Sequence, residues 1–217
     1  MSRRKTGAVK QRGFAQAPNN RPTRGLREEI AYRAARLIAE DGIIDFGAAK
    51  RKAARQLGIT TPGLLPDNHE LEAALRAQQA IFQSISQPAE CAALRKVAVE
   101  VMRWLDRFSP WLVGAVLSGT ANHFSPVELE IVAEDAKQLE MFFLNEGTRF
   151  ETRIMLVEPV QPIAARKSIS IFEISFREFP VVIAQYPSHA MRVAHYPRGS
   201  LKRARAQLAD VEALRTC

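Results

Sequence analysis

The chain has 217 residues, 47% of them hydrophobic, which suits one large domain or one domain with a small helical unit; it has no apolar run of the roughly 18 residues that a membrane helix takes. Its net charge of +8 sits at one end: Arg3, Arg4, Lys5, Lys10, Arg12, Arg21, Arg24 and Arg27 precede the first acid, and the remainder balances at 31 − 8 = 23 basic against 23 acidic residues. Cys91 and Cys217 are too few and too far apart to suggest a disulfide framework or a zinc knuckle, and no apolar signal core follows the basic N-terminus, so a reducing, cytoplasmic setting is expected.

Residues 1–25, with Pro18, Pro22, three glycines and few large apolar side chains, read as a disordered basic tail. Residues 1–27 are the candidate contact for nucleic acid, through phosphates; a solvated tail without a dedicated partner is the plainer alternative. From 26 to 40, Leu26, Ile30, Ala34, Leu37 and Ile38 recur on one helical face, and Asp41-Gly42 stops the helix. Asp45 is placed to cap a second helix through Leu57, closed by Gly58. A turn-rich stretch, 60–67, leads to two longer helices over 69–85 and 89–107, separated by Ser86-Gln87-Pro88. The apolar face of the first is interrupted by Gln78 and Gln79. Cys91, in the second, reads as a small buried apolar residue. Residues 26–107 are thus expected to be helical.

At Ser109-Pro110 the texture changes. Residues 112–117 read as a short apolar strand, 127–132 as an alternating one, and 134–146 as a helix stopped by Gly147. Strands are expected at 150–158, 168–176 and 179–186, the last with Pro180 near its start. A final helix, capped by Ser200, is expected from about Leu201 to Leu214. The fold class is α+β: a mixed sheet flanked by helices over 108–217, preceded by the helical region and the tail.

The chemistry concentrates at 112–133. Glu128 and Glu130 lie two residues apart on a strand and therefore project to one face. Ser118-Gly119, just upstream, is a small-residue turn that lets a ligand approach the backbone. Glu173 stands in an otherwise apolar strand, where an unpaired buried acid is costly and calls for a cation, a metal or solvent. The plain alternative puts Glu128 and Glu130 on the solvent face of an edge strand, with Leu129 and Ile131 packed inward, and pairs Glu173 with Arg153, Arg166 or Arg177.

This order of elements resembles the nucleotidyltransferase superfamily, the DNA-polymerase-beta-like fold. That family has a strand ending in a Gly-Ser or Gly-Gly turn, a strand with an acid-apolar-acid pair, and a later strand with a third acid. The resemblance covers roughly residues 108–186. It implies that Glu128, Glu130 and Glu173 are catalytic and bind Mg2+ or Mn2+. It also implies that Ser118, Gly119 and the adjacent Thr120 cradle the phosphates of a nucleoside triphosphate, whose nucleotidyl group passes to a hydroxyl acceptor. Three features depart from the family pattern: Ser precedes Gly at the turn, Glu replaces the usual first Asp, and only eight residues separate Gly119 from Glu128. A non-catalytic binding or regulatory protein on the same scaffold is the alternative.

The first two helices also resemble the opening of a tetracycline-repressor-type regulator. Lys50, Arg51, Lys52 and Arg55 give the second a basic face, but Pro62, Gly63 and Pro66 interrupt the place of a base-reading helix. His69, His123, His189 and His195 lack the spacing of a zinc helix, and no phosphate-binding G-x-x-x-x-G-K-[ST] loop occurs. Arg149 and Arg153 near the sheet are candidates for a triphosphate. Arg198, Lys202, Arg203 and Arg205 precede Asp210 and Glu212 in what reads as a mixed, solvated last helix. The acceptor, the base preference and the oligomeric state are not legible.

Overall fold

The computed structural model describes residues 21–157, 167–188 and 204–214. The expected Ser200 cap, His189, His195 and most of the basic tail lie outside them.

The N-terminal unit is three helices around one small core. Helix α1 (Arg21–Asp41) starts five residues before the expected position, so the end of the basic stretch is helical, and Arg24 pairs with Glu28 at 2.9 Å. Its face Ile30, Ala34, Leu37 and Ile38 is buried as the spacing predicts. Asp45 caps α2 (Phe46–Gln56) by accepting the Ala48 N–H. A short 3₁₀ turn (Pro62–Leu64) leads to α3 (Asn68–Phe82), started by a reciprocal capping box between Asp67 and Glu70. Leu71 and Leu75 of α3 and Ala49 and Ala53 of α2 close this core against α1.

Helix α4 (Ser86–Trp104) begins three residues earlier than expected, with Pro88 inside its first turn. A proline is tolerated there because the first N–H groups of a helix have no intrahelical partner. Its buried side, including Cys91, Leu94, Val101 and Met102, belongs to the core of the sheet rather than to that of α1–α3. Cys91 is fully buried in the sheet core, as expected, but it is disulfide-bonded, whereas the two cysteines had suggested no disulfide framework; Cys217 lies outside the described residues.

Among the described residues the sheet has five strands, β1 (Trp111–Val113), β2 (Val127–Val132), β3 (Phe150–Val157), β4 (Lys167–Phe176) and β5 (Phe179–Tyr186), in the order β1-β2-β5-β4-β3. Only β2 and β5 run parallel; the other neighbours are antiparallel. This is the mixed sheet expected of the α+β class. The predicted strand at 112–117 is corrected. Gly114, at φ +73°, turns the chain off β1 after three residues, and Gly114–Ser118 form the short helix α5. An apolar run without alternation does not distinguish the two states. Helix α6 (Lys137–Asn145) packs Leu139, Phe142 and Phe143 onto the sheet, where Trp104 stacks on Phe143.

The last helix is also shorter than expected: α7 spans Leu208–Ala213. Ala206 instead forms an antiparallel bridge to Leu112, extending the sheet edge past β1. The α4, α6 and α7 core residues all share one cluster with Leu129, Ile131, Phe172 and Ile183. The opposite sheet face has a smaller cluster made of strand residues, among them Ile169, Ile171 and Tyr186.

Candidate functional site

The sheet register places the acids. Across one row, Val113, Glu128, Val182, Glu173 and Glu151 are successive partners; across the next, Trp111, Glu130, Ala184, Ile171 and Arg153. Directly paired residues project to the same side, so Glu128, Glu130 and Glu173 share the face opposite α4 and α6. The structure therefore gives them a common face but not a common point. Val182 of β5 separates Glu128 from Glu173, and two strand spacings amount to roughly 10 Å between their Cα atoms. The carboxylates do not form a three-acid cluster: among the described residues no group of three or more His, Cys, Asp or Glu is arranged to hold a metal.

Two of the acids already have cations. Glu130 has a side chain only 1% exposed and accepts a hydrogen bond from Arg205 Nε at 2.6 Å; Arg205 is 14% exposed. Glu173 accepts from Arg153 Nε at 2.8 Å in a pair that is largely open to solvent. Arg153, offered above as a triphosphate contact, is thus a carboxylate partner, while Arg177 pairs with Glu100 at 2.6 Å. Leu129 and Ile131 point inward as the plain reading had it, but β2 is not an edge strand and Glu130 is not on solvent. This donor set does not fit Mg2+ or Mn2+: Glu130 is buried on a guanidinium, and Glu173 is ion-paired and separated from Glu128 by the intervening strand β5.

The turn expected to cradle phosphate is oriented by its neighbours. Six consecutive carbonyls, Val116 to Ala121, accept hydrogen bonds from side chains of α3 and α4. Arg95 reaches Val116 O and Leu117 O at 3.2 and 3.4 Å, and Arg76 reaches Ser118 O at 3.4 Å. Gln87 Nε2 serves Gly119 O at 2.9 Å and Ala121 O at 2.8 Å, and Gln79 Nε2 serves Thr120 O at 2.9 Å. The backbone N–H groups of Gly119 and Thr120 both turn inward to Ala115 O. The Ser118 hydroxyl bonds Ala115 O and the Thr120 hydroxyl, and Thr120 is 1% exposed. Ser118, Gly119 and Thr120 are thus brought together, but their donors serve the fold.

Sequence reasoning missed three parts of this arrangement. Gly114 is the glycine that ends β1; Ser118-Gly119 ends α5 instead. The glutamines that interrupt the apolar face of α3 mark where a polar loop is received, and Gln79, Gln87 and Arg95 are all buried there. Burial pushes the Arg95 guanidinium below its ordinary pKa, by desolvation. Arg205 was assigned to a solvated helix and is instead in a strand-like segment over Glu130.

The remaining candidates are likewise engaged or exposed. His123 lies beside Glu90, which accepts its backbone N–H at 2.9 Å, and its ring is against Phe124. On α2, Lys50 donates to Pro66 O and Asn68 Oδ1, and Lys52 pairs with Asp41 at 3.0 Å, so half of the basic face supports the helical unit. A shallow groove lined by Arg24, Glu28, Ala31 and Glu70 lies between α1 and α3, not on the sheet. No helix of the described residues is long and apolar enough to cross a membrane. Comparison with protein-family models, curated proteins and solved structures gives no match.

Proposed function

We propose that the chain is a non-catalytic, nucleotidyltransferase-like protein that works by binding, with its basic N-terminal stretch contacting nucleic acid. The observation that carries this reading is the loop Val116–Ala121, whose carbonyls are held by α3 and α4 and whose Gly119 and Thr120 amides bond Ala115 O. A phosphate needs those amides facing outward. The engagement of Glu130 by Arg205 and of Glu173 by Arg153 supports the same conclusion.

The nucleic-acid part rests on charge. Eight cations precede the first acid; Arg24 and Arg27 are paired with Glu28 and Glu70, and the other six lie further toward the N-terminus in the sequence. Phosphate neutralisation by such a stretch is sequence-independent and weakens steeply with salt. Fluorescence anisotropy with a labelled single-stranded RNA and a DNA duplex, over a salt series, tests it. Replacing Arg3, Arg4, Lys5, Lys10 and Arg12 by Gln is expected to abolish binding and leave the fold intact. Equal binding by that variant, or none by the parent at low salt, contradicts the reading.

A second reading, metal-dependent nucleotidyl transfer from a nucleoside triphosphate to a hydroxyl acceptor, is favoured by one observation. Glu128, Glu130 and Glu173 share a sheet face. It requires Glu130 to leave Arg205 and the loop to turn its amides outward.

A further inference from the structure

Strand β3 ends the sheet, and its outer edge is open among the described residues. The strand order stops there, Ile154 is 73% and Leu156 63% exposed, and Glu151, Thr152 and Arg153 are exposed as well. Which backbone groups face outward follows from the β4–β5 hairpin. Its two-residue turn, with Arg177 and Glu178 both at positive φ, closes on the Phe176–Phe179 pair, and the closing pair of such a turn is hydrogen-bonded. Hydrogen-bonded and non-hydrogen-bonded pairs alternate along antiparallel strands, so Phe172 and Ile174 bond β5 while Ile171 and Glu173 bond β3. Their partners Arg153 and Glu151 therefore turn their backbone groups inward, and Thr152 and Ile154 present theirs at the edge. The usual blocks to edge pairing are missing: residues 150–157 contain no proline, and all eight pair with β4 in continuous register without a bulge.

The charges along this edge are self-complementary. Glu151 lies directly across from Glu173, a like-charged pair that is unfavourable on its own. Arg153 relieves Glu173, donating to it through Nε at 2.8 Å, and Glu151 is left without an ion pair among the described residues. We propose that β3 pairs antiparallel with β3 of a second copy of this chain, about a two-fold axis at Thr152. Paired residues share a face, so this register sets Glu151 opposite Arg153 of the second copy, and Arg153 opposite its Glu151. Both are non-hydrogen-bonded pairs, in which side chains approach most closely. The Arg153 Nη groups take up the new carboxylate while Nε keeps Glu173. On the other face, the exposed Ile154 comes opposite Phe150 of the second copy and is covered. Centring the axis on Ile154 instead would set Arg153 against Met155 and leave both charges unmatched. The order of charges thus selects a second copy as the occupant, and the two sheets become one. This inference rests on register, exposure and charge order, and is independent of nucleic-acid or nucleotide binding.

Sedimentation equilibrium of the full chain over a dilution series, at low salt so that exposed charges are not screened, tests it. The parent is expected to reach twice the chain mass at high concentration and to dissociate on dilution. Glu151→Arg sets arginine against arginine, and Arg153→Glu sets glutamate against glutamate, so each variant alone is expected to stay at the chain mass. An equimolar mixture of the two variants restores both opposite-charge pairs and is expected to return to twice the mass. Thr152→Pro removes an outward N–H that β4 does not use, and is expected to be monomeric with an unchanged urea midpoint. A parent that stays at the chain mass at its highest concentration overturns the proposal. So does a mixture that remains monomeric. Single variants that associate as well as the parent also overturn it, because the contact then lies on another surface.

Discussion

Glu130 and Glu173 look alike in sequence, each an acid in an apolar alternating strand, yet they carry different weight. Glu130 is 1% exposed on Arg205, and removing one partner of a buried pair strands the other charge at a cost of about 3–5 kcal/mol. Glu130→Ala is therefore expected to lower unfolding stability by about 3 kcal/mol in urea titration. Glu173→Ala breaks a solvent-exposed pair and is expected to change stability by less than about 1 kcal/mol. A catalytic assignment makes the opposite forecast, that Glu130→Ala spares the fold. Gln87 is the other decisive residue: its amide serves two carbonyls at the loop, and Gln87→Leu is expected to cost about 2 kcal/mol by leaving them unsatisfied. Gln78 and Gln79 were visible as flaws in an apolar face, but nothing in α3 itself tells that a carbonyl from 41 positions later, Thr120 O, arrives opposite Gln79. Arg205 had no readable partner for the same reason, since its acid is 75 residues away.

At the level of elements, local signals placed most of what local chemistry controls. Asp45 capped where expected, and β2 and β5 kept their predicted bounds because alternation and flanking turns agree there. The misplacements share one cause, a tertiary partner that overrides propensity. Arg205 and Ala206 leave a helical pattern because the β1 edge offers a strand partner, and 114–118 coil because Gly114 leaves the strand. The β4–β5 hairpin turns through Arg177 and Glu178, at φ +48° and +70°, a conformation that costs non-glycine residues about 1 kcal/mol each. Glu178→Gly is expected to raise stability by up to about 1 kcal/mol, read as a higher urea midpoint at unchanged slope. Glu70 joins α3 to α1: its hydrogen bond from Arg27 holds its carboxyl below the ordinary carboxylate range, against desolvation. A folded-state pKa below the unfolded one contributes stability that is present above the unfolded value and is lost as pH falls through the folded value. The stability gap between the parent and Glu70→Gln should therefore be full at neutral pH and close on acidification from about pH 5 downward, in urea titrations across pH.

For the molecule as a whole, helices before residue 108 and strands after it were legible, but the core that each helix joins was not. Periodicity assigned α4 to the helical region because it is a helix; burial assigns it to the sheet core. The two parts meet at the loop after α5, where Arg76 and Gln79 of α3 join Gln87 and Arg95 of α4. Phe124 from the same connection packs on Gly42 at the end of α1, where a Cβ would come within 2.9 Å of the ring. The helical unit therefore helps hold the loop that a nucleotide would have to rearrange, with the Gly119 and Thr120 amides turned inward. Calorimetric titration of the full chain with ATP, CTP, GTP and UTP, with and without Mg2+ or Mn2+, tests this most directly. The arrangement predicts no metal-dependent heat for any nucleotide; metal-dependent binding that disappears in Glu128→Ala with Glu130→Ala would contradict it and restore the transfer reading.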